Sequence, residues 1–178
     1  DFPINPVNLY SISKASQEYI CRYYSNIHHL NIIITRAFSY INPRRTDIFS
    51  SSFARQLVEI EQGQRETLKH GNLTSIRSLC DIRDICKAYW KVADKCIPGE
   101  VYNIGSTTPI SVGEFLSKLR IKAKRPIKCE LDHNLIRKSD VTYQIPDISK
   151  LKSIIGWEPK ITLDESIDWL LETYRNGY

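Results

Sequence analysis

The chain has 178 residues, 42% of them hydrophobic, enough for one ordinary domain with its own core or for two small lobes, which excludes a disordered chain. Twenty-five basic residues against 20 acidic ones give a formal charge of +5, spread without the block of like charge that marks a nucleic-acid or membrane tail, and this reads as a mild bias toward an anionic ligand. No apolar run approaches the ~20 residues that a membrane span needs, and Asp1-Phe2-Pro3-Ile4 lacks the basic-then-apolar pattern of a signal peptide, so the chain reads as starting in the middle of something.

Pro3, Asn5, Pro6 and Asn8 mark a loop whose last polar residue can cap a helix over 9–27. Residues 30–38, a nearly continuous β-branched run apolar on both faces, predict a buried parallel strand. After a loop holding Asn42-Pro43-Arg44-Arg45, the residues Phe49, Phe53, Leu57 and Ile60 recur at helical spacing over 48–62 and stop at Gly63. Residues 66–76 carry a turn at Gly71-Asn72 and predict a short strand pair. Residues 81–95 are helical, with Ile82, Ile85, Ala88, Tyr89 and Val92 on one side and Asp81 and Asp84 at the positive end. A compact strand at 101–105 precedes a helix opened by Ser111 with Glu114 at the capping-box position, and 127–131 resembles another strand. A brief helix over 149–155 ends at Gly156-Trp157-Glu158-Pro159, and an amphipathic helix over 163–174 is opened by Thr162 and Glu165. There is no internal repeat or low-complexity segment.

Tyr10-Ser-Ile-Ser-Lys14 places a phenol and an ammonium four residues apart, on one helix face at neighbouring turns. A free tyrosine titrates near 10 and an adjacent cation favours the phenolate, so this lysine can bring Tyr10 toward the range useful for moving a sugar hydroxyl proton. The same ammonium can hydrogen-bond a cofactor ribose. Taken alone, the spacing is equally that of a surface helix pair.

Its context is more specific. Leu9-Tyr-Ser-Ile-Ser-Lys-Ala15 resembles the catalytic helix of extended short-chain dehydrogenases. Thr35-Arg-Ala-Phe-Ser-Tyr-Ile-Asn-Pro-Arg-Arg45, Gly71-Asn-Leu-Thr-Ser-Ile-Arg77, Asp81-Ile-Arg-Asp-Ile-Cys-Lys-Ala-Tyr-Trp90 and Pro98-Gly-Glu-Val-Tyr-Asn-Ile-Gly105 follow in that family's order. The Gly-Asn-Leu segment, Leu135-Ile-Arg-Lys-Ser-Asp-Val141 and Gly156-Trp-Glu-Pro159 look most like the branch of GDP-mannose 4,6-dehydratases and GDP-6-deoxy-mannose reductases. Pro43-Arg-Arg45 followed by Phe49 leans toward the dehydratases.

The resemblance implies an α/β fold: the C-terminal part of a Rossmann-type parallel sheet (1–48 and 79–105) interleaved with a small α+β substrate-binding lobe (49–78 and 106–178). It makes Tyr10 the acid/base and Lys14 its helper. It places Tyr10, Lys14, Arg36, Ser39, Tyr40, Arg44 and Arg45 beside an NADP or NAD cofactor, NADP being favoured. It sets Ser39, Asn72, Arg77, Arg137 and Asp140 around a nucleotide-diphosphate sugar. Planar guanidinium groups bind diphosphate oxygens bidentately, which suits Arg77 and Arg137 to that task. Arg44 and Arg45 are also candidates for reaching a neighbouring subunit, so a homo-oligomer is expected, with a solvated loop as the plain alternative.

Departures are visible as well. Ser39-Tyr40 stands where many relatives carry Asn-His, Ser78-Leu-Cys80 replaces an Asp-aromatic-small motif, and Lys138 stands where proline usually follows the second arginine. The 178 residues hold no Gly-x-x-Gly-x-x-Gly segment for a cofactor pyrophosphate and no glutamate assignable as the eliminating base, so the isolated chain is expected to be inactive.

Five cysteines, odd in number and without a C-x-x-C pair, argue for a reducing, cytoplasmic setting, and all five read as small buried hydrophobes. His28, His29, His70 and His133 suggest no metal site. Trp90, Trp157 and Trp169 read as packing anchors rather than base-stacking platforms, so neither nucleic acid nor membrane is expected as a partner.

The function expected of the parent enzyme is that of a nucleotide-sugar 4,6-dehydratase of the GDP-mannose type: hydride from sugar C4 to NADP, loss of water across C5 and C6, and hydride return to C6. The alternatives are a 4-keto-sugar reductase or nucleotide-sugar epimerase using the same Tyr10 and Lys14, or a non-catalytic nucleotide-sugar-binding or assembly module.

Overall fold

The structure, a computed structural model, describes residues 4–136 and 141–177. The chain opens with α1 (Leu9–His28), where Asn8 Oδ1 accepts from the Ser11 amide and the Ser11 hydroxyl accepts from the Asn8 amide, a reciprocal cap that sets the first turn. Strands β1 (Ile34–Ala37) and β2 (Tyr40–Ile41) follow, then α2 (Phe49–Glu61), β3 (Thr67–His70), β4 (Ile76–Ser78), β5 (Cys80–Asp81) and α3 (Ile82–Lys95). Next come β6 (Val101–Ile104), β7 (Pro109–Ser111), α4 (Val112–Ile121), β8 (Lys128–Leu131), a 3-10 turn (His133–Leu135), β9 (Tyr143–Gln144), α5 (Ser149–Ile155) and α6 (Leu163–Arg175).

The fold is α/β, and its parallel pairs link strands distant in sequence. β1 runs parallel to β6 with Ile34 opposite Val101, β2 parallel to β5, and β3 parallel to β8, while β4 sits between antiparallel β7 and parallel β9. The strand predicted over 30–38 pairs only from Ile34, because its partner begins at Val101 after the turn in which Gly99 donates to the Ile32 carbonyl.

The strand pair predicted over 66–76 is corrected. β3 and β4 both exist but do not pair with each other, since β3 takes β8 and β4 takes β7 and β9. The connection runs past Leu135 with no room for a side chain at Gly71: a Cβ there would stand 2.5 Å from the Leu135 carbonyl oxygen. Asn72 Oδ1 then accepts from the amide and hydroxyl of Thr74, holding the segment in an Asx turn.

Two apolar cores result. One joins α2, α4 and α6 with Ile41, Leu68, Leu79 and Ile127, and is centred on Phe115, which meets Phe49 edge-on at 5.6 Å. The other joins α3 and β6 with Ile148, Leu151 and Trp157, so α5 and the Gly156 turn pack with the β1–β6 sheet although they follow the 49–78 and 106–121 elements in the chain. Each fully buried side chain of this kind contributes about 1.5–3 kcal/mol.

Two expectations about individual side chains are also corrected. Trp90 is 81% exposed, being on the outer face of α3 opposite Ile85, Ala88 and Val92, whereas Trp157 is the buried anchor. Cys86 lies on that same outer face and is exposed, while Cys80 and Cys96 are buried. No helix among the described residues is long and apolar enough to cross a membrane.

Candidate active site

α1 is tied to the strand that follows it through Glu18 and Arg36 of β1: Arg36 Nε donates to Glu18 Oε2 at 2.9 Å and Nη2 to Oε1 at 2.8 Å. Tyr10 lies eight residues nearer the helix N-terminus than Glu18, roughly 12 Å along the axis at 1.5 Å per residue. Ligands of parallel α/β sheets bind at the carboxyl edge, which in β1 and β6 is the end at Ala37 and Ile104.

At that edge Phe38 and Gly105 follow the two strands, and a Cβ on Gly105 would stand 3.1 Å from Phe38 Cβ and 3.0 Å from Pro146 Cγ. The lack of a side chain there lets the two strand exits lie together. Ser39 comes next, its carbonyl accepting from the Cys80 amide, and this carries the backbone into the β2–β5 pair.

Tyr10 and Lys14 lie on one face of α1, the Lys14 ammonium 5.7 Å from the centre of the Tyr10 ring and donating to Gln17 Oε1 at 3.0 Å. Tyr10 is 71% exposed, so its hydroxyl is open to a ligand.

The loop after β1 is built from its own side chains. Asn42 Oδ1 accepts from the Arg44 amide, Arg45 forks onto both Asp47 oxygens at 2.7 and 2.6 Å, and Arg45 Nη1 donates to the Tyr40 hydroxyl at 3.2 Å. The Asp47 carboxylate beside it holds the Arg45 guanidinium well above its ordinary range, and Asp47 is correspondingly depressed by Arg45. Arg44 and Arg45 are both exposed.

The remaining candidates divide. Arg77 lies on β4, half-buried, with Nη1 donating to the Ile76 carbonyl. Asn72 is spent on its Asx turn and on the Ser75 hydroxyl, which makes it a builder of the segment leading into β4. Arg36 is held by Glu18 through the Nε–Nη2 edge of its guanidinium. Arg137 and Asp140 lie outside the described residues.

Sequence reasoning missed Glu18 and the buried serines in the first turn of α2. Glu18 is the one buried residue of α1, and its signal was a carboxylate one turn beyond Lys14 with Arg22 a further turn on. α2 begins at Ile48 without a side-chain cap, beside buried Ser50 and Ser51; the Ser51 hydroxyl donates to the Asn42 carbonyl, and the Ser50 and Ser78 hydroxyls have no partner among the described residues. Unsatisfied donors at a helix start favour anions.

Cys80 is no nucleophile. Burial, with Asp84 and Asp81 nearby, pushes the Cys80 thiol up to about 12. Among the described residues no group of three or more His, Cys, Asp or Glu could hold a metal ion.

Known proteins are similar to this chain in sequence and in fold. The chain is 26% identical to dTDP-D-glucose 4,6-dehydratase of Mus musculus over 99% of its own length and 50% of the relative's, so it spans about half the length of the curated relatives it matches. Its fold superposes with a TM-score of 0.89 on RMD from Pseudomonas aeruginosa in complex with NADPH, at 24% identity over 97% of this chain and 58% of that one. UDP-glucuronic acid 4-epimerase from Bacillus cereus, in complex with NAD, gives 0.84 at 24% identity, over 100% of this chain and 54% of that one. The family model of GDP-mannose 4,6 dehydratase matches residues 1–169, nearly the whole chain, and the chain belongs to that family within the extended short-chain dehydrogenases.

Proposed function

We propose that the protein carrying this chain is a nucleotide-sugar 4,6-dehydratase acting on a GDP-hexose, with Tyr10 as the acid/base. The observation that carries this reading is the pairing of Tyr10 and Lys14 on one face of α1, with the Lys14 ammonium 5.7 Å from the centre of the Tyr10 ring. The family match and the dehydratases among its relatives support the reaction class.

The residues present fit the nicotinamide-ribose end of a cofactor: Lys14 is exposed, carries three ammonium donors and spends one on Gln17. A bound nicotinamide, NADP by preference in this reading, supplies the hydride acceptor and donor for the sugar. Tyr10 takes the proton of the C4 hydroxyl as C4 is oxidised, and Lys14 stabilises the phenolate and holds ribose hydroxyls. Arg77 on β4 and Arg137 neutralise the sugar diphosphate, Asp140 accepts from a ribose or sugar hydroxyl, Ser39 adds to the polar lining, and Asn72 shapes the segment that carries Arg77. Tyr40, Arg44 and Arg45 form a cofactor-side or subunit-contact loop in a homo-oligomer. The five unpaired cysteines suit a cytoplasmic enzyme.

The test is Tyr10→Phe in the complete protein, assayed with GDP-mannose, dTDP-glucose and UDP-glucuronate in the presence of NADP or NAD. The reading expects a 4-keto-6-deoxy product from GDP-mannose and a loss of at least about 10²-fold in kcat on substitution. Undiminished turnover in Tyr10→Phe refutes the role of Tyr10, and epimerised product without loss of water refutes the dehydratase.

A further inference from the structure

We infer that Glu18 and Arg36 form a clamp that sets the rotation of α1 on the sheet, and so act as positioning residues for Tyr10 and Lys14. This rests on the assignment of Tyr10 and Lys14 as the reacting pair.

The argument begins with what α1 does not do. A 20-residue helix in an α/β fold ordinarily seats an apolar stripe on its sheet. α1 has one buried residue, Glu18, while Leu9, Ile12, Tyr19, Ile20, Tyr23 and Ile27 are all exposed. The side of α1 that carries Glu18 is otherwise lined by small half-buried residues, Ser11, Ala15, Cys21 and Ser25, which bring the helix close without interlocking it.

The carboxylate makes the connection instead. It accepts two bonds from the Arg36 fork, and Arg22 Nη2 adds a third at 3.0 Å from the next turn of α1. A two-pronged planar contact fixes orientation as well as distance, which a single bond does not. Arg36 is in turn fixed by its strand: it pairs opposite Asn103 of β6, whose side chain donates to the Asp147 carbonyl. The path from α1 to the sheet is thus Glu18, Arg36, β1, β6. Burial alone would raise the Glu18 pKa, but Arg36 and Arg22 outweigh it and hold the carboxyl below the usual carboxylate range, so it stays ionised and in place.

The geometry makes this matter for Tyr10. Residues 10, 14 and 18 follow one i, i+4, i+8 ridge of the helix. A side-chain tip lies roughly 5–6 Å from the helix axis, so a rotation of about 20° moves it by about 2 Å. Misplacement of about 1 Å can cost on the order of 10²-fold in rate. Loosening of the clamp is transmitted along this ridge to the reacting pair.

The experiment uses the complete protein with Glu18→Gln, Arg36→Lys and the exchanged pair Glu18→Arg with Arg36→Glu. Each is assayed for kcat and KM with the nucleotide sugar, and each is examined by hydrogen exchange of the 9–28 amides. The single variants are expected to lose at least about tenfold in kcat with KM changed less than about threefold, to show faster exchange confined to 9–28, and to be rescued by the exchanged pair. An unchanged kcat in both single variants, or exchange accelerated uniformly across the chain, overturns the clamp. If Tyr10→Phe leaves turnover intact, the reading of Tyr10 fails, and the clamp is then decided by exchange alone: faster exchange confined to 9–28 supports it, and any other pattern overturns it.

Discussion

Asp84 Oδ2 accepts hydrogen bonds from the backbone amides of both Lys160 and Ile161, each at 2.7 Å, joining the first turn of α3 to the segment that enters α6. The carboxylate is 2% exposed, so these two amides replace much of its hydration. A helix N-terminus favours the same charge, and Lys87 adds a weaker contact at 3.6 Å.

Asp84→Ala leaves two amides without an acceptor, and the expected loss of stability is about 2–4 kcal/mol, since hydrogen bonds to charged groups are worth about 1.5–3 kcal/mol each. Urea unfolding of wild type and variant measures it. A loss under about 0.5 kcal/mol would mean that water replaces the carboxylate at no cost.

Asp81 governs a pH response. Burial works to raise its pKa, but hydrogen bonds from Arg83, Ser166 and the Arg83 amide outweigh that, and the net shift is downward. A folded-state pKa below the unfolded value of about 3.9 means that the group contributes stability above that value and loses it as pH falls through the folded pKa. Glu18 and Glu61 are lowered in the same sense, Glu61 by Arg175 and the Lys124 amide against its burial. The unfolding midpoint is therefore expected to fall from pH 5 toward pH 3, and Asp81→Asn to flatten that slope while lowering stability at pH 7. Parallel slopes for variant and wild type would remove Asp81 from this account.

The tryptophans provide a contrast within one residue type. Trp157→Ala removes a buried ring from the core of α3, β6 and α5 and is expected to cost about 3–5 kcal/mol. Trp90→Ala on the exposed face of α3 is expected to stay within about 0.5 kcal/mol. Thermal unfolding of the two variants in the same buffer decides the matter, and a large loss in Trp90→Ala would show that something covers that face.

Local chemistry was readable from the residues alone. The capping boxes at Ser111 and Thr162, with Glu114 and Glu165 three residues on, appear in the structure as reciprocal bonds, because every atom involved lies within one turn. The Tyr10–Lys14 pair is similar: four residues on a helix must share a face, whatever the helix packs against. Family order along the chain was visible for the same reason, since it is a property of segments.

Partners chosen across the fold were not readable. That Thr67 pairs opposite Lys128 rather than with the strand after Gly71 depends on which edge is offered to β3, and a turn-like Gly-Asn pair does not carry that choice. Glu18 is composed like any solvated helix carboxylate until β1 brings Arg36 against it, and Trp90 and Trp157 differ only in which side of α3 and the Gly156 turn faces the sheet. The sequence by itself determined the helices, their caps and the residue types that suit the chemistry, because these follow from contacts a few residues apart. The tertiary structure alone decided which strands meet, which charges are buried in pairs and how α1 is turned toward the site, because those depend on surfaces that exist only after distant segments have packed.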